Sequence, residues 1–189
     1  MRVIAGTYKG HRLQAVPNKL TRPTTDKVKE ALFQMIGPFF SGGNCLDLFA
    51  GSGGLGIEAL SRGIDHSIFV DQQPKAIQTI YTNLKTLDLE GSAEVFRTDA
   101  FRALKAAGKR GLLFDLVFLD PPYQKVSYEK LLEGLQTFQL TTEKTIIVCE
   151  HEARQALPDE HAGFNKVKSE TYGGTTAVTL YKKEEERNG

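Results

Sequence analysis

The sequence predicts an α/β fold, with a mostly parallel seven-stranded sheet that ends in an antiparallel hairpin. Strand-like and helix-like segments alternate from residue 44 onward, which is typical of a parallel sheet covered by helices. Four glycines between residues 51 and 56 follow the first of these strands and indicate a strand–loop–helix unit. Only Tyr172-Gly173-Gly174 separates the last two strand-like segments, and this spacing indicates a hairpin.

A small β-hairpin and a helix precede this sheet in the prediction. Two short strands, 2–6 and 10–16, flank Thr7-Tyr8-Lys9. Thr25-Asp26 is expected to cap a helix that runs to Ile36, where Gly37-Pro38 ends it. We therefore predict two domains, residues 1–43 and residues 44–189.

The sheet domain is expected to contain seven strands and four helices. The strands are expected at 45–49, 67–71, 93–97, 114–119, 145–150, 164–171 and 175–182. The helices are expected at 54–62, 74–87, 100–107 and 127–138. The charged end, residues 184–189, is expected to fray.

Positive charge is concentrated at the front of the chain. The protein has a net charge of +1, but residues 1–40 carry seven Lys and Arg against only Asp26 and Glu30. A basic front end on a mildly acidic body indicates a surface for a polyanion, although a solvated charged surface is the alternative.

The two cysteines, Cys45 and Cys149, lie in apolar strand-like runs without partners at metal-ligand spacing. We expect buried, reduced thiols in a cytoplasmic protein, with no metal site. No apolar stretch reaches 18 residues and no signal peptide is apparent, so a membrane is not expected as a partner.

The glycine loop, residues 51–56, predicts a cofactor site. Its pattern Gly51-x-Gly53-x-x-Gly56 matches the dinucleotide fingerprint, and Asp71 follows Gly51 by 20 residues, at the end of the next strand. Glycines there let a ligand approach the backbone, and the Asp71 carboxylate suits a ribose diol. The loop by itself indicates an adenosine-containing cofactor without saying which one.

Further carboxylates follow or end other strands. Asp47 lies inside the first strand, near its end, where a buried charge needs a partner such as a cationic ligand. Asp99 follows the third strand and could accept from an adenine amino group, or simply cap a helix. Because the carboxyl ends of parallel strands lie at one edge, these residues favour a shared pocket.

Residues 120–123, Asp120-Pro121-Pro122-Tyr123, come directly after the apolar run 114–119. Two prolines remove two N–H groups and leave nearby carbonyls free to accept hydrogen bonds. An amine with two N–H groups on a flat ring would suit this carboxylate, these carbonyls and the aromatic ring of Tyr123.

Several of these motifs resemble a known family. Residues 46–53 (LDLFAGSG) together with 120–123 (DPPY) are similar to S-adenosylmethionine-dependent amino methyltransferases of nucleobases, which have a Rossmann-like class I fold. Residues 2–6, 9–13 and 172–176 and the segment 22–33 (RPTTDKVKEALF) narrow the resemblance to the bacterial 16S rRNA (guanine(966)-N(2))-methyltransferase family.

This resemblance implies methyl transfer from S-adenosylmethionine to the N2 amine of a guanine in small-subunit rRNA. It implies catalytic roles for Asp120, Pro121 and Tyr123. The residues expected at the cofactor are Asp47, Phe49, Gly51, Gly53, Asp71, Asp99 and Ala100. The residues expected on RNA phosphates are Arg2, Lys9, Arg12 and Arg22, with Arg22 near the pocket mouth. We expect a cytoplasmic monomer whose partner is 16S rRNA or a small-subunit assembly intermediate.

Three other functions are weaker interpretations of the same residues. A nicotinamide-dependent oxidoreductase would explain the glycine loop and Asp71 but not residues 120–123. A non-catalytic RNA-binding or ribosome-assembly protein that kept the fold would not need either motif intact. A DNA adenine-N6 methyltransferase is compatible with residues 120–123, but chain length and residues 22–33 disfavour it.

Overall fold

A computed structural model of the chain describes residues 1–17, 25–122 and 125–185. The chain divides into two compact units, Met1–Asp99 and Ala100–Gly189. In the part of the chain that the structure describes, no helix combines the length and the apolar character needed to cross a bilayer.

The first unit is a three-stranded parallel sheet with three helices. Its elements are α1 (Asp26–Ile36), β1 (Asn44–Asp47), α2 (Gly54–Ser61), β2 (His66–Asp71), α3 (Pro74–Thr86), a 3₁₀ turn (Glu90–Ser92) and β3 (Ala93–Arg97). The strands lie in the order β3, β2, β1, and every pairing among them is parallel. Most residues of β1 and β2 are buried, which is typical of strands covered on both faces.

Residues 1–14 form what we call the N-terminal hairpin. Arg2 and Arg12 make one antiparallel bridge, and backbone bonds from Val3 N–H to the His11 carbonyl and from Leu13 N–H to the Met1 carbonyl (2.9 Å each) flank it. The predicted pair of strands is thus reduced to one bridge with turns beyond it.

A buried charged cluster attaches this hairpin to α2. Glu58 is fully buried and accepts hydrogen bonds from the N–H groups of Ile4 (2.8 Å) and Ala5 (3.3 Å). Its carboxylate also pairs with Lys29 of α1 (3.6 Å) and with Arg62 (3.2 Å), both of which are buried. Burial lowers the pKa of Lys29, and the negative charge of Glu58 opposes that shift. The cluster therefore joins the hairpin, α1 and α2 through one carboxylate.

The second unit is a five-stranded mixed sheet with two helices. Its elements are α4 (Ala100–Lys109), β4 (Phe114–Leu119), α5 (Tyr128–Thr137), β5 (Thr141–Glu152), β6 (Glu160–His161), β7 (Phe164–Tyr172) and β8 (Thr176–Lys183). The strands lie in the order β4, β5, β8, β7, β6. β4 and β5 are parallel, and the other pairings are antiparallel.

The predicted architecture is confirmed, with one strand more among the described residues. β6 has only two residues and pairs with β7, so it is too short to produce an alternating pattern in sequence. The hairpin of β7 and β8 lies where the sequence predicted it, around Gly173 and Gly174, which both have positive φ. The frayed end was predicted at residues 184–189, of which 186–189 lie outside the described residues.

Candidate cofactor site and catalytic motif

The glycine loop makes a tight turn between β1 and α2. Gly51 and Gly53 have φ values of 56° and 84°, in the left-handed region that favours glycine. The Gly53 N–H donates to the Ala50 carbonyl (2.8 Å), and Gly53 is also the N-cap of α2. The turn therefore leads directly to a helix N-terminus, where free N–H groups and the helix dipole favour electron-rich ligand atoms.

The glycines of the loop have different neighbours. A Cβ at Gly51 would meet no atom within 4 Å, so the backbone there faces open space. A Cβ at Gly56 would lie 2.4 Å from the ring of Phe69, so this glycine permits packing of α2 on β2. The open space at Gly51 fits a cofactor that touches the main chain.

Asp71 holds the loop at the end of β2. One carboxylate oxygen accepts from the Gly51 N–H (2.9 Å), and the other accepts from the Gln73 N–H (2.9 Å). The residue is only half buried. Because each carboxylate oxygen can accept more than one hydrogen bond, Asp71 keeps capacity for the hydroxyls of a ribose.

Asp47 is 3% exposed, and its carboxylate accepts from the Gly56 N–H (3.1 Å). The first turn of α2 thus stabilises part of the buried charge for which the sequence suggested a cationic ligand. Burial and the nearby Asp47 both raise the pKa of the Cys45 thiol, and burial raises the pKa of the Cys149 thiol. Both thiols are therefore kept protonated.

The other predicted cofactor residues occupy two places. Phe49 is half buried and lies between β1 and the glycine loop. Asp99 is half buried and directly precedes α4, whose first residue, Ala100, is buried. Asp99 therefore stands at the helix N-cap position that the sequence offered as its alternative role. Its contact with a cofactor stays a prediction.

The predicted catalytic motif follows β4 in the second unit. Residues 116–119 are buried, whereas Asp120 is exposed and Pro121 is buried. Burial, followed by the negative charge of Asp120, raises the pKa of Tyr128 above its ordinary value of 10.0, and the Tyr128 hydroxyl donates to the Glu150 carbonyl. Tyr123 lies outside the described residues.

The predicted RNA-binding residues differ in their surroundings. Lys9 and Arg12 are exposed on the N-terminal hairpin. Arg2 is also exposed, but its guanidinium lies 3.4 Å from the carboxylate of Asp26. Arg22 lies outside the described residues.

Sequence reasoning missed Asn83 of α3, which is 1% exposed. It bonds both to the chain after the N-terminal hairpin bridge and to the glycine loop. The only signal in the sequence was its position, since Asn83 falls on the buried face of α3, next to Leu84 and three residues after Ile80.

In the first unit, a strand, a left-handed glycine turn, a helix and an acidic residue after the next strand form a candidate cofactor site. Asp-Pro-Pro after a buried strand forms the other recognisable motif. Together these features are typical of a Rossmann-like methyltransferase.

Comparison with known proteins gives the family. The model of the family described as "Conserved hypothetical protein 95" matches residues 1–182. The YlbH protein of Bacillus subtilis (strain 168) is 55% identical over 183 residues, which cover 97% of this chain and 99% of that protein. "Ribosomal RNA small subunit methyltransferase D" of Escherichia coli (strain K12) is 33% identical over 184 residues, 97% of this chain and 90% of that protein.

A solved structure agrees with these relatives. The YhhF protein of Escherichia coli superposes with a TM-score of 0.83 at 29% identity, covering 98% of this chain and 99% of that one. The chain belongs to the Conserved hypothetical protein 95 family, and the resemblance predicted from its motifs is confirmed.

Proposed function

We propose that this methyltransferase transfers a methyl group from S-adenosylmethionine to the exocyclic N2 amine of a guanine in 16S rRNA. The observation that carries the proposal is Asp120-Pro121-Pro122 directly after buried β4. Its exposed carboxylate is suited to an amine, and the 33% identical Escherichia coli relative is named a small-subunit rRNA methyltransferase.

The cofactor is proposed to lie along the glycine loop. The open backbone at Gly51 would receive it, and the Asp71 carboxylate would accept hydrogen bonds from its ribose. Asp47, Phe49 and Gly53 complete this part of the site, and Asp99 and Ala100 are proposed to contact the adenine. When bound, S-adenosylmethionine supplies a methyl group that is activated by the positive charge on sulfur.

The guanine amine is a weak nucleophile because its lone pair is delocalised into the ring. The Asp120 carboxylate and the Pro121 carbonyl are proposed to accept its two hydrogens, which favours a pyramidal nitrogen with a localised lone pair. Tyr123 is proposed to stack on the base and fix its orientation, a contribution that works mainly through positioning. Pro121 cannot donate a competing backbone hydrogen bond, so the motif offers acceptors to the amine.

The target base has to leave its stack to reach such a motif, which costs least in loops or single strands of RNA. The exposed cations Lys9 and Arg12 are proposed to hold phosphates. Arg2 and Arg22 are proposed to contribute to the same interaction. Phosphate contacts position the RNA without reading its sequence. We further propose that the protein acts as a cytoplasmic monomer on 16S rRNA or a small-subunit assembly intermediate.

The proposal is tested with rRNA from cells that lack this protein. Deproteinised 16S rRNA and small-subunit particles are incubated separately with the enzyme and S-adenosylmethionine, and nuclease fragments are mapped by mass spectrometry. We expect one N2-methylguanine in at least one of the two substrates, and none with the Asp120→Asn variant. Methylation of an adenine, or a guanine product that persists in Asp120→Asn, would contradict the proposal.

A further inference from the structure

One buried amide links the N-terminal hairpin to the glycine loop. The Asn83 side-chain oxygen accepts from the Gln14 N–H (2.8 Å), and its nitrogen donates to the Gln14 carbonyl (3.0 Å). The same nitrogen donates to the Ser52 carbonyl (2.9 Å). Both donor hydrogens of Asn83 are therefore used, one on each side.

Met1 makes a second contact from the hairpin to the loop. Its carbonyl accepts from the Leu13 N–H (2.9 Å), which keeps Met1 beside the chain that leads to Gln14. Its sulfur lies 3.7 Å from the Ser52 hydroxyl, and a Cβ at Gly54 would lie 3.2 Å from that sulfur. The first strand of the hairpin thus contacts the glycine loop directly through Met1, and the second strand reaches the same residue, Ser52, through Asn83.

The loop depends on these contacts for its shape. Ser52 lies between Gly51 and Gly53, the two left-handed glycines, whose backbone is intrinsically permissive. Asp71 holds the loop at the Gly51 N–H, and Asn83 holds it at the next residue through the Ser52 carbonyl. A displaced hairpin would leave the buried Asn83 amide without its Gln14 partners, which is unfavourable.

We propose that Asn83 is a positioning residue that couples RNA binding on the hairpin to cofactor binding on the glycine loop. RNA held by Lys9 and Arg12 stabilises the docked hairpin, and the docked hairpin stabilises the loop conformation that receives the cofactor. Because linkage is reciprocal, bound cofactor strengthens RNA binding by the same factor. This inference rests on the proposed function, since the polyanion on the hairpin is rRNA.

The test is a four-part binding cycle with the full-length protein. Affinity for S-adenosylhomocysteine is measured by calorimetry with and without saturating 16S rRNA fragment. In the wild type, RNA is expected to increase this affinity about fivefold or more, the lower range of ordinary allosteric coupling. In Asn83→Ala the factor is expected to fall to below about twofold.

Thr79→Val is the matched control. Thr79 is a buried polar residue one turn earlier on α3, and its hydroxyl donates to the Lys75 carbonyl of its own helix. This variant is expected to keep the wild-type coupling factor. Should Asn83→Ala fail to fold, Asn83→Ser gives the same measurement, because a serine side chain is too short to span Gln14 and Ser52.

The outcomes separate the inference from the function beneath it. A wild-type protein that binds S-adenosylhomocysteine but not rRNA would overturn the proposed function and the coupling with it. A wild-type protein that binds both without any coupling would overturn only the role of Asn83. A folded Asn83→Ala variant that retains the full coupling factor would also overturn only the role of Asn83. A merely structural residue would change the S-adenosylhomocysteine affinity equally with and without RNA, so the ratio of the two affinities would stay the same.

Discussion

Asp71 combines two tasks in a single carboxylate. It fixes the glycine loop through the Gly51 N–H and the turn after β2 through the Gln73 N–H, and it keeps acceptor capacity for a ligand. A loop fixed in advance does not have to be ordered when the cofactor binds, so part of the cost of binding is met during folding.

Asp71→Ala is therefore expected to weaken cofactor binding. Each ribose hydrogen bond that is removed contributes about 0.5–1.5 kcal/mol net, and a hydrogen bond to a charged acceptor contributes more. The affinity for the cofactor is therefore expected to fall tenfold or more. Calorimetry with S-adenosylhomocysteine measures the change, with Glu90→Ala, an exposed carboxylate in the 3₁₀ turn, as the control. Unchanged affinity in Asp71→Ala would remove this residue from the site.

Asp120 is predicted to act on the rate rather than on binding. Its proposed hydrogen bonds strengthen as the amine becomes pyramidal, so Asp120→Ala is expected to lower the methylation rate at least 100-fold, about 2.7 kcal/mol of transition-state stabilisation. Affinities for RNA and cofactor should change little. Single-turnover methylation measures the rate, with Asp115→Ala, an exposed carboxylate on β4, as the control. A wild-type rate in Asp120→Ala would refute its role.

At the scale of elements, the Glu58 cluster determines whether the N-terminal hairpin and α1 stay docked on α2. Removing Glu58 leaves Lys29 and Arg62 buried without their carboxylate, and Arg62 stacks at 4.8 Å over the ring of Phe33. Glu58→Ala is therefore expected to lower the free energy of unfolding by about 3–5 kcal/mol. Urea denaturation measures it, with exposed Glu90→Ala as the control. A decrease below about 1 kcal/mol, the scale of a surface pair, would show that the cluster does not hold these elements together.

His151 makes the second unit sensitive to acid. One ring nitrogen contacts the Glu152 carbonyl (2.8 Å) and the other contacts the Thr179 hydroxyl (2.7 Å), which suits a neutral ring. Burial lowers the pKa of His151 below its ordinary value of 6.5, a shift that Lys166 reinforces and the Glu152 carbonyl opposes. The unfolded chain therefore takes up this proton at a higher pH than the folded chain does.

The consequence for stability has a definite sign. Above about pH 6.5 both states are neutral at His151 and its contribution is constant; below that pH the free energy of unfolding falls until the folded-state pKa is passed. Urea denaturation at pH 8 and pH 5.5 should show a smaller decrease in His151→Gln than in the wild type. His161→Gln, which changes a histidine paired with Glu133 on the same unit, is the control. Equal decreases in His151→Gln and the wild type would contradict this role.

Local sequence patterns were sufficient to predict most of the helices and strands. The predicted bounds of β3 and β4 coincide with the observed ones, because each strand is enclosed by clear turn residues. β5 was predicted at 145–150 but begins at Thr141, since its first four residues are polar and Thr141 pairs with Phe114 of β4 ahead of a bulge. Such pairing depends on a distant strand, which periodicity within a segment does not report.

In the candidate site, too, local spacing located some residues, whereas contacts between distant segments could not be predicted. Asp71 and the left-handed glycines could be located from spacing, because a βα turn imposes its own residue types. Asn83 and Glu58 could not be assigned partners, since their contacts join segments that are 69 and 54 residues apart. Lys29, counted from sequence among the charges facing a polyanion, is instead buried against Glu58.

At the scale of the whole molecule, the uneven charge gives the protein a basic front end despite its net charge of +1. The structure reduces the set of cations that can face a polyanion, because Lys29 is buried and Arg2 pairs with Asp26. Lys9 and Arg12 remain exposed on the N-terminal hairpin, outside the cofactor loop. They are therefore the most direct positions at which to test the interaction with phosphates.

Neutralising Lys9 and Arg12 together, in the double variant Lys9→Gln and Arg12→Gln, is expected to weaken RNA binding whatever the RNA sequence. It should also flatten the dependence of log affinity on log salt by roughly one unit for each phosphate that the hairpin no longer binds. Titration of 16S rRNA at several salt concentrations measures the slope. The control is Lys144→Gln with Lys182→Gln, two exposed cations on β5 and β8. A solvated surface predicts the same slope for all three proteins, and an unchanged slope in the hairpin variant would exclude phosphate binding there even if methylation proceeds as proposed.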